Sequence, residues 1–248
     1  MKRISNSTDW LLMENKIRDG RYGPVFLIMK KDTAEMVTAE QLDLEEPFSP
    51  ALLESVISQL EKKVMNQSEP NVVSYLGYQK KDDSIFLLSE HLPGGTLQEF
   101  IQKHGIAPQS LARRILHQIA LGLAQLSFTV ALLNSSNIHM DHTGNVKIEA
   151  LLLDEIVGQQ HRIPAVSTVP EIILGQRIMQ KADVWLFGIV AAQLLSGDYN
   201  IVAATSTRDV ETLIKDNQES AWELFVPREI SNKLDGRASD LLRRCFSM

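Results

Sequence analysis

From Val184 to Leu195 the chain is apolar on almost every face of a helix, interrupted only by Gly188 and Gln193. A helix with no side to give to water predicts the central post of a domain large enough to surround it. The stretch falls short of the ~20 apolar residues that a bilayer span requires. The charged start Met1-Lys2-Arg3 has no apolar run behind it, so neither a membrane span nor a signal peptide is expected. With 248 residues and 44% apolar content, the chain can bury a sizeable core in one large domain or two lobes. The formal charge of −6, with no more than two adjacent Lys or Arg anywhere, excludes the clustered basic field that a nucleic-acid surface needs. The lone Cys245 rules out an internal disulfide framework and fits a reducing, cytoplasmic location.

The first third of the chain has the pattern of strands. Val25–Met29 and Met36–Ala39 flank the polar turn Lys30–Glu35, as a hairpin would. Ser49 followed by Pro50 makes a helix start, and Leu53, Val56, Ile57, Leu60 and Val64 repeat at helical spacing behind it. Val72–Leu76 and Ser84–Leu88 give two further strands around a turn at Lys80–Asp83. Leu92-Pro93-Gly94-Gly95 then marks the change from strand to helix periodicity. Beyond it, Leu111, Ile115, Leu116, Ile119, Leu123 and Leu126 line one face of a helix. Asn137–His139 and Asn145–Ile148 form a short strand pair joined by Met140–Gly144. The expected class is α+β: a small five-stranded antiparallel lobe with one helix over residues 1–92, and a mainly helical lobe over 93–248.

Four segments carry a resemblance. Arg18-Asp19-Gly20-Arg21-Tyr22-Gly23-Pro24-Val25, Val37-Thr38-Ala39-Glu40, Pro170-Glu171 and Lys181-Ala182-Asp183-Val184-Trp185-Leu186-Phe187-Gly188 fall in the order and at the spacing of eukaryotic protein kinases. The chain therefore resembles the bilobal protein-kinase fold along nearly its whole length. Ser89-Glu90-His91-Leu92-Pro93-Gly94-Gly95-Thr96-Leu97 is similar to the kinases that act upstream of MAP kinases. Leu132-Leu133-Asn134-Ser135-Ser136-Asn137 resembles the degenerate kinase domain beside the active kinase in the amino-acid-starvation kinase of translation initiation factor 2. The resemblance also implies that the C-terminal lobe stops before its last helix, because the late arginine that pairs with the Glu171 position lies past Met248.

The same resemblance implies which chemistry to look for. Phosphoryl transfer relies on a glycine-rich cover, a strand lysine, a base, and metal held by aspartate and asparagine. Here the first glycine position holds Arg18, the lysine position Glu40, the base position Leu132 and the metal-aspartate position Ala150, while Val130 and Leu151 fill neighbouring places in the interlobe column. Gly20, Gly23, Glu90 and Asn137 remain as vestiges of a nucleotide site. Asn137 is expected to act as a loop residue, and one amide is a poor site for a hard cation. His139 stands where the family packs a side chain under adenine, Ser89 where it guards the back of that pocket, and Glu61 is nearest to the helix glutamate. His139 and His142 lack further ligands at metal spacing, so no metal and no cofactor are expected. The implied protein is a pseudokinase and not an enzyme. It would regulate, by activating, an adjacent kinase domain in the same polypeptide or a partner kinase through direct contact in translational stress control, with self-association left open. Its contact surface would lie on the helix Ser49–Met65 or on Leu153–Val169. The alternatives are a nucleotide-sensing pseudokinase, a scaffold related to kinases upstream of MAP kinases, and a divergent enzyme using Asn137 with Asp154 or Glu155.

Overall fold

The computed structural model describes residues 10–42, 58, 69–81, 84–126, 133–150, 169–173, 180–201, 212, 226, 228–232 and 234–247. The expected helix Ser49–Met65, apart from Ser58, lies outside these residues and takes Glu61 with it. So do Val130, Leu132, Leu151, Asp154, Glu155 and residues 153–168 of the segment that follows. The chain divides into two compact units, one formed by residues up to Pro93 together with Ala150, the other by Gly94–Glu149 and the described residues from Val169 onward.

The first unit is built on five antiparallel strands. They are β1 (Trp10–Asp19), β2 (Pro24–Lys30), β3 (Met36–Leu42), β4 (Tyr75–Lys81) and β5 (Ser84–Glu90), in the order β1-β2-β3-β5-β4. The β2–β3 hairpin pairs Val25 with Glu40 and Met29 with Met36, the strands expected from their apolar runs. Because β3 lies at the centre, its residues are buried on both faces. Val37 and Ala39 join Ile28 and Leu88 in one cluster, with Trp10, Leu76 and Phe86 packed against it. By strand alternation, Thr38 and Glu40 face the other way.

Two details differ from the sequence expectation. β4 begins at Tyr75 rather than Val72 and runs to Lys81, so Lys80 and Lys81 belong to the strand and not to the turn. Val72 and Val73 are still buried, at 1% and 3% exposure, which is why they look like strand residues in the sequence. Gly77 sits at the register shift between β4 and β5 with φ +149°, a conformation that favours glycine.

The second unit is mainly helical. α1 (Leu97–His104) opens on a reciprocal cap: the Glu99 amide donates to Thr96 Oγ1 at 3.1 Å and the Thr96 amide to Glu99 Oε2 at 2.8 Å. α2 (Gln109–Gln125) buries Ala112, Ile115, Leu116 and Ile119, and ends just before Leu126. The short strands β6 (Ile138–Met140) and β7 (Val146–Ile148) pair as expected. The Val146 amide donates to Gln118 Oε1 at 2.9 Å, tying this hairpin to α2. After the single turn α3 (Pro170–Ile173) comes α4 (Gln180–Ser196), buried from Trp185 to Ser196. Val184 is the exception, 49% exposed at the start of the apolar run.

The remaining described helices are α5 (Arg228–Ser231) and α6 (Gly236–Cys245). α4 packs against both α2 and α6. The Trp185 and Phe246 rings meet edge to face with centroids 5.0 Å apart. A Cβ at Gly188 would lie 2.6 Å from Cys245 Cβ and 3.0 Å from the Phe246 ring, so glycine permits this close approach. Gln193, the polar interruption in α4, donates from Nε2 to the Tyr199 carbonyl at 2.7 Å. Among the described residues no helix is long and apolar enough to cross a membrane.

Candidate functional site

In the first unit the positions singled out in the sequence gather at the β1–β2 turn and along β3. Arg18 belongs to β1, opposite Val25, so it is a strand residue at the entrance to the turn. The Gly20 amide donates to the Gly23 carbonyl at 2.8 Å and closes the turn. Glu40 lies on β3 between Val25 and Leu87 and is 9% exposed. Its carboxylate accepts the Tyr22 amide at 2.6 Å, so the group at the lysine position is fastened to the turn above it. Tyr22 is itself buried at 3% exposure, with the Arg21 guanidinium 5.3 Å from its ring centroid. The sequence puts Glu40 at the lysine position but gives no sign of this bond. The partners are 18 residues apart and meet only through the β2–β3 register.

Ser89 and Glu90, at the end of β5, are also engaged within their own unit. The Ser89 hydroxyl lies 2.6 Å from Thr38 Oγ1. Glu90 Oε1 accepts the Ser74 amide at 2.7 Å, and the Glu90 amide donates to the Ser74 carbonyl at 3.0 Å. His91 follows, its pKa lowered by burial, with Nδ1 buried and without a hydrogen-bond partner among the described residues.

In the second unit Asn137 is buried at 4% exposure in the loop before β6. Its Oδ1 accepts the Asn134 amide at 3.0 Å, its own amide donates to the Asn134 carbonyl at 3.2 Å, and its carbonyl accepts the Glu149 amide at 2.9 Å. Asn134 Oδ1 in turn accepts the amide and hydroxyl of Ser136. This is the local side-chain-to-backbone bonding that shapes a loop. His139 Nε2 lies 2.6 Å from Glu149 Oε1, with the two side chains 6% and 13% exposed. Glu149 was not singled out in the sequence. Because β6 and β7 pair Ile138 with Ile148, His139 and Glu149 become diagonal neighbours on one face of the hairpin, a relation that appears only with the register. His142, by contrast, is exposed on the connecting turn. Ala150, which belongs to the first unit, is 1% exposed and ends this described stretch.

The turn itself is organised by Asp141. Its carboxylate accepts the Thr143 amide and hydroxyl, both at 2.7 Å, and the Asn145 amide and Nδ2, both at 2.9 Å. Desolvation is the largest single influence and pushes its carboxyl up. The bonds from Thr143 and Asn145 together outweigh it and hold the carboxyl well below the usual range.

The chain belongs to the protein kinase domain family, which it matches over residues 12–248. Among its relatives is mitogen-activated protein kinase kinase kinase ANP1 of Arabidopsis thaliana, 28% identical over 92% of this chain and 38% of that protein. Mitogen-activated protein kinase kinase kinase 2 of the same plant is 27% identical, over 92% of this chain and 39% of that protein. The serine/threonine-protein kinase ATG1a, again from Arabidopsis thaliana, is 23% identical over 92% and 37%. The chain thus spans about two fifths of the length of each of these relatives.

These findings correct the expectation of a non-enzyme. The family is that of protein kinases and the relatives are kinases by name, so the absence of catalysis does not follow from Glu40, Leu132 and Ala150. That expectation compared single positions with one usual arrangement of catalytic groups, and one of the three, Leu132, lies outside the described residues. Two of these three relatives carry names from the level upstream of MAP kinases, and none is named as the starvation kinase.

Proposed function

We propose that this chain is a signalling domain of the kinase family at the level upstream of MAP kinases, and that it acts by direct contact with a second kinase domain, adjacent in its own polypeptide or in a partner protein. The observation that carries this reading is the match of 92% of the chain to two kinases named for that level.

The test mixes the 248-residue chain with a purified MAP kinase kinase and the kinase domain of a MAP kinase kinase kinase, in the presence of labelled ATP. The expected result is a saturable change in phosphate transfer to the MAP kinase kinase as the chain is added. Omitting the second kinase measures transfer by the chain itself. No binding to either kinase, with transfer unchanged at every concentration, would contradict the reading. A place in translational stress control has only the likeness of Leu132–Asn137 behind it. The same assay with the kinase of translation initiation factor 2 separates the two pathways.

A further inference from the structure

Backbone amides converging in a glycine turn make a concavity suited to anionic oxygens, which is how such turns hold phosphate. In this chain the turn between β1 and β2 already holds an anionic oxygen, and the chain supplies it. The Tyr22 amide donates to Glu40 Oε1 at 2.6 Å, a short bond of the kind that a carboxylate acceptor favours. The carboxylate sits directly under the turn: a Cβ at Gly20 would clash with Glu40 Oε1 and lie 2.8 Å from its Cδ. The absence of a side chain at Gly20 therefore makes room for Glu40. The carboxylate is held from below as well, because β3 is paired on both sides, with Val25 and Leu87 flanking position 40.

We propose that Glu40 is a built-in occupant of this anion site, an autoinhibitory carboxylate that a phosphate-bearing ligand must displace from the Tyr22 amide before the turn can hold it. The inference rests on the geometry of the turn and is independent of the cascade in which the domain works. Two anions cannot share the Tyr22 amide without repulsion. The closed turn thus rejects phosphate while Glu40 is seated, and accepts it once the carboxylate moves away.

The test uses the whole chain and two variants, Glu40→Gln and Glu40→Ala, with ATP, inorganic tripolyphosphate and adenosine as probes in EDTA, read by titration calorimetry. Glu40→Gln keeps an acceptor for the Tyr22 amide and removes the charge; Glu40→Ala removes both. The expected result is a gain of roughly tenfold or more in affinity for ATP in both variants, larger in Glu40→Ala. A matching gain for tripolyphosphate with no gain for adenosine assigns the effect to phosphate. Hydrogen exchange at the Tyr22 amide should be slow in the parent chain and in Glu40→Gln, and fast in Glu40→Ala. Equal ATP and tripolyphosphate affinity in the parent chain and Glu40→Gln would overturn the proposal. That comparison stands even where Glu40→Ala fails to fold, since the glutamine is nearly isosteric.

Discussion

Charged and polar side chains here are spent on shaping backbone, and their titration shows it. Asp141 accepts four hydrogen bonds across the β6–β7 turn, so its folded pKa lies below the ordinary value. A carboxyl of this kind contributes stability that is fully present above its unfolded pKa, about 3.9, and is lost as pH falls further toward the folded value. We predict that Asp141→Asn melts below the parent chain at pH 7, and that the gap narrows in scans taken below about pH 4. Cys245 behaves in the opposite sense: burial pushes its thiol up to about 11. Alkylation by iodoacetamide at pH 8 should be slow in the folded chain and fast after unfolding. The strand that carries Val37, Thr38 and Ala39 was legible in the sequence. The partners of Glu40 and His139 were not, because each contact joins residues brought together by strand register.

Helices and strands are more legible in the sequence than the contacts between them. The β2–β3 and β6–β7 hairpins follow from apolar runs around polar turns, and α2 from its helical repeat. β4 was displaced by three residues because Val72 and Val73 are buried outside a strand, and burial alone does not tell a strand from an ordered loop. Gly188 shows what a sequence pattern hides. In the sequence it interrupts an apolar helix, whereas in the fold it admits Cys245 and Phe246 of α6. Gly188→Ala should therefore destabilise the chain by about 1–3 kcal/mol in urea unfolding, as overpacking does. Thr96→Ala, which removes the cap of α1, should cost about 1 kcal/mol in the same measurement.

At the scale of the whole chain, the family was recognisable from four short segments, and the match over residues 12–248 extends that kinship well beyond them. Function was less legible. Single positions such as Glu40 and Ala150 say which groups are present, but the names of the relatives place the chain among kinases. The finer likeness drawn from Leu132–Asn137 is only six residues long, too short to outweigh alignments that cover 92% of the chain. The proposed function has this kinase-family domain acting upstream of MAP kinases through contact with another kinase. The most direct measurement is the equilibrium binding of the 248-residue chain to purified MAP kinase kinase and MAP kinase kinase kinase domains. Saturable binding to at least one of them is expected, of micromolar affinity or tighter, about −8 kcal/mol or better. No binding to either at concentrations a hundred times higher would contradict it.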